Sequence, residues 1–125
     1  MDDDAKRILY VMTHGTDTPE RSATPFFLSA AGAACEHEVS IYFTMNGPQL
    51  LRKGVAEKMG PKGDRGQPLR FFIDQALDIG VNLYVCQSSL DLHDMTMEDV
   101  IDGVKMIGGA AFNDMAVEAD AVISF

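Results

Sequence analysis

The hydrophobic positions of the chain follow two alternating patterns, short continuous apolar runs and longer amphipathic stretches. Short continuous runs are typical of strands that are covered on both faces of a parallel sheet. Four segments predict β-strands, at residues 8–12, 39–44, 81–86 and 121–125, and the second of them alternates and carries Val, Ile, Tyr and Phe.

The amphipathic stretches between these runs predict helices. They lie after Pro25, from 47 to 59, over 69–79, over 97–107 and around Phe112. The helix over 97–107 follows a capping-box pattern at Thr96 and Asp99. In the first helix we expect one apolar face to be buried, and it comprises Phe27, Ala31, Ala34 and Cys35.

Strands that alternate with helices predict an α/β fold with right-handed crossovers. We expect a three-layer α/β/α sandwich with a mainly parallel sheet of four to five strands, in a single domain over 1–125. Chemistry in such sheets lies beyond the carboxyl ends of the strands, where the strand order reverses. If the first and third strands are neighbours, this crevice lies between the turns at 13–18 and 86–95.

Cys86 ends the third predicted strand and would lie in that crevice. Loop N–H groups there could favour the thiolate, the form that attacks electrophilic sulfur, although a core cysteine acting as a small hydrophobe is the alternative. His14 and His93 lie on crevice-side loops, where an imidazole could lower the thiol pKa or take its proton. Ser88 is a further candidate for support. Cys35, on the first helix, is expected to pack in the core.

The turn Thr13-His14-Gly15-Thr16-Asp17-Thr18 is rich in hydroxyl groups. It resembles the phosphate loop of flavodoxins with its glycine displaced by one position. A flavin- or phosphate-binding module that uses this turn is therefore an alternative function. Capping of a helix that begins at Pro19 is the simpler interpretation. The chain has no Gly-x-Gly-x-x-Gly and no Gly-Lys-Thr pattern, and its histidines and cysteines match no metal-ligand spacing. We therefore expect no dinucleotide cofactor and no metal.

The composition is that of a globular chain: of 125 residues, 46% are hydrophobic and 23% are charged. The apolar runs are far shorter than the roughly 20 residues of a membrane span, and the acidic start, Met1 to Asp4, is unlike a secretory signal. These features predict a cytoplasmic protein. The net charge of −9 disfavours nucleic acid as a partner.

Charge is unevenly distributed, because residues 52–70 carry six basic and two acidic side chains, a net +4 against −13 for the rest. Arg52 and Lys53 are candidates for docking an acidic partner, and an ordinary solvated surface is the alternative. Residues 60–68, rich in glycine and proline, predict a surface loop.

Three stretches resemble the DsrE/DsrF-like family of small sulfur-relay proteins. They are residues 8–27, the segment 81–91 with Cys86 at the strand end, and residues 99–104 together with Gly108-Gly109-Ala110-Ala111 and the closing strand. The cysteine is the most specific of these features.

The resemblance implies that Cys86 carries sulfur as a persulfide and exchanges it with a TusA-like or rhodanese-like carrier protein. It also implies an α/β/α sandwich that assembles as a homo-oligomer, a trimer or a hexamer. Thiol–persulfide exchange needs no cofactor, so a carrier or sulfurtransferase is the expected function. Some family members lack the cysteine and serve as structural subunits, so a non-catalytic assembly subunit remains the alternative.

Overall fold

In a computed structural model that describes residues 4–125, five strands form one sheet. They are β1 (Arg7–Met12), β2 (Glu38–Phe43), β3 (Asn82–Cys86), β4 (Val104–Ile107) and β5 (Ala121–Ser124). All neighbouring strands are parallel, in the order β4-β3-β2-β1-β5. The predicted mainly parallel sheet is confirmed, and its strands at the four expected places are present.

The α-helices of the described residues are α1 (Thr24–Ala34), α2 (Leu69–Asp78), α3 (Gln87–Leu92) and α4 (Gly109–Glu118). Short 3-10 helices occupy Pro19–Arg21, Gly47–Leu51 and Met97–Asp99. No helix within residues 4–125 is long and apolar enough to cross a membrane. The absence of a secretory signal was predicted from the acidic residues at the start of the sequence. Most of these residues lie outside the part of the chain that the structure describes.

The sheet is covered on both faces, which confirms the predicted three-layer sandwich. On one face, the side chains of Ile41 and Phe43 pack with Phe26 of α1 and Ile73 of α2. On the other face, apolar side chains of the sheet pack against α4, and they are Leu9, Val11 and Tyr42. Because side chains alternate along each strand, residues of β2 such as Tyr42 and Phe43 serve opposite layers.

The prediction of a helix over 97–107 is wrong. The capping box forms, with the Thr96 N–H donating to Asp99 Oδ2 at 2.9 Å, but it opens only a 3-10 turn. Gly103 then adopts φ +90, and Val104 begins a strand that pairs with Leu83 of β3. Pairing with β3 satisfies the backbone of this segment in extended form, which outweighs the helical spacing of its apolar residues.

The first and third strands are not neighbours, because β2 lies between β1 and β3, so the condition for a crevice between the turns at 13–18 and 86–95 is not met. The crevice at Cys86 is therefore bordered by β2 and β4 and not by the turn at 13–18.

The predicted helix from 47 to 59 is a single 3-10 segment, Gly47–Leu51, followed by turns. Gly54 adopts φ +88, which a continuing right-handed helix does not accommodate. Leu50 and Leu51 are buried, whereas Val55 is only partly buried.

Helix α1 forms where predicted, but the prediction of its buried face is wrong. The four residues of that face are all exposed, and they are Phe27, Ala31, Ala34 and Cys35. Phe26 is fully buried and stacks on Phe43 with ring centroids 5.5 Å apart, whereas Phe27 is 60% exposed. Cys35 is exposed at the end of the helix, so the prediction that it packs in the core is wrong.

Candidate functional site

Cys86 stands at the junction of a strand and a helix. It is the last residue of β3 and the N-cap residue of α3, which begins at the next residue. The sequence predicted a turn here, and the strand passes instead directly into a helix. The thiol is partly exposed, because the side chain has left the sheet while the backbone on both sides stays in regular structure.

An open pocket of ≈ 440 Å³ surrounds this thiol at the carboxyl edge of β2, β3 and β4. Its lining residues come from these strands, from α3 and from the start of α4, and they are Tyr42, Cys86, Gln87, Ser88, Asp91, Ile107, Gly108 and Gly109. In the part of the chain that the structure describes, Asp91 is the one charged side chain among them. The pocket therefore leaves the sulfur accessible to another thiol.

The surroundings of Cys86 favour its thiolate. Partial burial raises the pKa of the thiol. Hydrogen bonds from the hydroxyls of Ser88, Ser89 and Tyr42 and from the Ser89 backbone lower it by more than burial raises it, and the resulting pKa is about 6. Ser88 Oγ lies 3.2 Å from the sulfur. A thiol with this pKa is mostly ionised at neutral pH, and the thiolate is the form that reacts with sulfur electrophiles.

Helix α3 is tied at both ends to the loop after β2. The Met45 backbone N–H donates to the Ser89 hydroxyl at 2.8 Å, and His93 Nε2 donates to the Met45 carbonyl at 2.8 Å. Thr44 Oγ1 lies 3.2 Å from the Ser89 hydroxyl. Met45 itself adopts φ 56, an uncommon conformation for a residue with a side chain. These bonds fix the helix that begins at Cys86.

The predicted support residues lie in different places. Ser88 is beside the thiol, whereas His93 is at the far end of α3 and bonds the Met45 carbonyl. His14 accepts a hydrogen bond from Arg21 Nη1 at 3.3 Å in the turn after β1. Among the described residues, the groups that shift the pKa of Cys86 include neither histidine.

The predicted docking residues lie next to the far end of α3. Arg52 is partly buried, and its Nη2 donates to the His93 carbonyl at 3.3 Å. Lys53 is exposed and lines a separate hollow with Lys58. The Arg52 side chain is therefore a structural contact of α3, whereas Lys53 bonds to the Asp99 carbonyl through its backbone N–H and its side chain has no hydrogen bond or ion pair among the contacts of residues 4–125.

Two hydroxyl-bearing residues of the turn at 13–18 bond within the protein, whereas the buried Thr18 hydroxyl has no hydrogen-bond partner among the described residues and does not cap the 3-10 helix that begins at Pro19. The Thr16 N–H donates to Gln49 Oε1 at 3.1 Å, and Thr13 Oγ1 donates to the Phe125 carbonyl at 2.6 Å. Gly15 lies so close to Gln49 that a Cβ there would clash. Groups engaged in this way do not favour a phosphate site. Within residues 4–125, no cluster of three or more His, Cys, Asp and Glu side chains could hold a metal ion.

Sequence reasoning missed Tyr42 and Ser89. Tyr42 was placed correctly in a strand, but its proximity to Cys86 depends on which strands are neighbours and in which register. Ser89 falls on the buried side of a helix that was expected to be a turn. The alternation of β2 could have placed Tyr42 on the same face as Cys86 once β2 and β3 were paired.

Comparison with known sequences shows the family of the chain and a curated relative. The model of the DsrE/DsrF-like family matches residues 6–125. The sulfur carrier protein DsrE2 of Allochromatium vinosum is 26% identical over 153 aligned positions, which cover 92% of this chain and 95% of that protein.

Two solved structures share the fold. The YchN protein from E. coli has a TM-score of 0.81 at 17% identity, and a protein of unknown function from Methanobacterium thermoautotrophicum has a TM-score of 0.66 at 13% identity. Each comparison covers 96% of this chain and 99% of the other. At these identities the similarity is one of fold.

Proposed function

The chain belongs to the DsrE/DsrF-like family, and we propose that it is a sulfur carrier that holds sulfane sulfur as a persulfide on Cys86. The observation that carries the proposal is a partly exposed thiol, at the end of a buried strand, whose pKa is lowered to about 6. A relative that bears the name sulfur carrier supports the same role.

Loading is a thiol exchange. The Cys86 thiolate attacks the outer sulfur of a donor persulfide, R–S–S–H, and a bond forms between Sγ and that sulfur as the R–S bond breaks. The donor leaves as the thiolate R–S⁻, and the proton stays on the transferred sulfur. This exchange is analogous to disulfide exchange, so no cofactor takes part. An accessible thiolate in an open pocket suits it better than a deep substrate cavity would.

If the protein were an inert assembly subunit, the thiol of Cys86 would have no groups around it that lower its pKa. The hydroxyl groups that stabilise the thiolate at Cys86 favour the carrier over that alternative. The alternative of a flavin or phosphate site loses support, because Thr16 and Thr13 already bond to Gln49 and to the Phe125 carbonyl.

The partners belong to the same proposal. A carrier passes sulfur to a second thiol protein, of the TusA-like or rhodanese-like kind, in the reducing cytoplasm. Self-assembly into a closed homo-oligomer, a trimer or a hexamer, is supported by the thin layer over one face of the sheet. No residue of α4 is fully buried, and every residue of β5 is exposed, among them the apolar Val122, which is paired with Leu9 and lies on the same face.

Sulfur loading tests the proposed function directly. The protein is incubated with polysulfide and its intact mass is measured before and after dithiothreitol. We expect the wild type and Cys35→Ser to gain one or more sulfur atoms reversibly, and Cys86→Ser to gain none. Cys35 is the matched control because it is the more exposed thiol. Loading that persists in Cys86→Ser, or no loading of the wild type, would contradict the proposal.

A further inference from the structure

Tyr42 and Cys86 lie on the same face of the sheet, on adjacent parallel strands. Tyr42 of β2 is paired with Tyr84 of β3, and Cys86 is two residues beyond Tyr84, so its side chain leaves the same face. Tyr42 is therefore the diagonal neighbour of Cys86, a separation that an aromatic side chain can bridge. Both residues line the pocket that surrounds the sulfur.

The ring of Tyr42 is held in place. It is 5% exposed and packs in the apolar layer between the sheet and α4, where its ring centroid lies 4.3 Å from that of Phe112. A buried tyrosine hydroxyl needs a hydrogen-bond partner. The sulfur of Cys86 lies at the diagonal position and in the same pocket, and its interaction with the Tyr42 hydroxyl raises the pKa of that tyrosine.

The tyrosine remains a donor over the working pH range. Burial raises the pKa of Tyr42 well above its ordinary value, and the hydrogen bond and the charge of Cys86 raise it further. The hydroxyl therefore keeps its proton while the thiol beside it loses its own. Of the Tyr42 hydroxyl and the Cys86 thiol, the thiol is therefore the group that carries the negative charge.

We infer that Tyr42 donates the hydrogen bond that holds the negative charge on Cys86 Sγ when this sulfur departs as a thiolate during discharge. The inference rests on the proposed function and deepens it, because it assigns a second residue to the transfer step. Ser88 is an exposed hydroxyl on a helix turn, whereas Tyr42 is fixed by packing and reaches the sulfur from the sheet.

In discharge an acceptor thiolate, R–S⁻, attacks the outer sulfur of the Cys86 persulfide. A bond forms between R–S and that sulfur, the bond to Sγ breaks, and Sγ keeps the electron pair as a thiolate. The proton stays on the transferred sulfur, giving R–S–S–H. Sγ is thus the leaving group in discharge and the nucleophile in loading.

Loss of the Tyr42 donor acts in opposite directions on these two steps. A less stabilised thiolate leaves more slowly, but once ionised it is a stronger nucleophile, because nucleophilicity rises with thiol pKa. At a pH where Sγ is fully ionised, discharge should therefore slow while loading should not. A packing defect would slow both steps.

The test compares Tyr42→Phe with Tyr84→Phe, which removes a hydroxyl from the paired position on β3. Loading is measured with polysulfide at alkaline pH, and discharge of the loaded protein is measured with a small thiol. For Tyr42→Phe we expect discharge to slow roughly threefold or more, with loading unchanged or faster. The alkylation rate of the unloaded Cys86 should also need a higher pH to reach its plateau. Tyr84→Phe should match the wild type.

Equal slowing of both steps, or an unchanged alkylation profile in Tyr42→Phe, would overturn the inference. The alkylation profile requires no sulfur transfer, so it separates the two proposals. If wild-type protein never loads, the proposed function fails and the discharge role fails with it, whatever the profile shows. If it loads normally and Tyr42→Phe discharges at the wild-type rate, only the role of Tyr42 fails.

Discussion

The hydroxyl of Ser89 accepts a hydrogen bond from the backbone N–H of Met45 at 2.8 Å. This bond joins the buried side of α3 to the loop after β2. Because α3 begins at Cys86, the same serine both anchors the helix and contributes to the lowered pKa of the thiol. Structure and reactivity are coupled at this residue.

Ser89→Ala and Ser88→Ala separate these two contributions. Ser89→Ala leaves the Met45 N–H without its partner, so we expect the free energy of unfolding to fall by about 1–3 kcal/mol. Ser88 is exposed, and Ser88→Ala should change that free energy by less than about 0.5 kcal/mol. Both variants should raise the pKa of Cys86. Urea unfolding and alkylation profiles measure the two effects, and a stability loss in Ser88→Ala equal to that in Ser89→Ala would contradict this division.

The pH dependence of alkylation tests the thiolate itself, in Cys35→Ser protein so that Cys86 is the single thiol. With a pKa of about 6, the rate should rise with pH, reach half its maximum near that value and stay flat above neutrality. An ordinary cysteine, with a pKa of about 8.5, would still be mostly protonated at neutral pH. A midpoint above 8 would show that the hydrogen bonds around Cys86 do not stabilise its thiolate.

The sequence was sufficient to predict the elements that have one dominant local signal. The strand at 82–86 and its terminal cysteine follow from a continuous apolar run, and the helix over 69–78 from a regular apolar spacing. Both signals agree with the tertiary structure, so the predictions are confirmed.

Other elements depend on contacts that the sequence does not display. Residues 97–107 have helical spacing, and only the pairing of Val104 with Leu83 makes their end a strand. In α1 both Phe26 and Phe27 are apolar, and the choice between them is made by the position of Phe43. Tyr42 reaches Cys86 through strand register, which no local pattern encodes.

The basic surface offers a test of partner docking. Lys53 is exposed, whereas Arg52 bonds to the His93 carbonyl, so reversal of Arg52 would also disturb α3. We expect Lys53→Glu to slow sulfur transfer to an acidic carrier protein several-fold at low salt, because charge attraction mainly accelerates encounter and is screened by salt. Loading by small polysulfide should be unchanged.

Lys6→Glu is the matched control for that variant. Lys6 is also exposed, but it precedes β1 and lies at the amino edge of the sheet, away from the thiol. Transfer rates measured over a range of salt concentrations compare the two. If Lys53→Glu and Lys6→Glu slow transfer equally, the effect comes from net charge and residues 52–70 form an ordinary solvated surface.

Self-assembly is tested on the face of the sheet that α4 covers only thinly. Val117 of α4 is 85% exposed. Val122 of β5, which follows α4 in the sequence, is also exposed. We expect light scattering of the wild type to give a multiple of the 13.6 kDa chain mass, and Val117→Glu with Val122→Glu to give the monomer. Neither side chain is buried in the single chain, so the double variant should stay folded.

Ile79→Glu is the control for the assembly test. It places a charge on an exposed apolar residue next to α2, on the opposite layer, and should leave the assembly intact. A monomeric wild type at micromolar concentration would remove the homo-oligomer from the proposed function, since the exposed valines would then be ordinary surface residues.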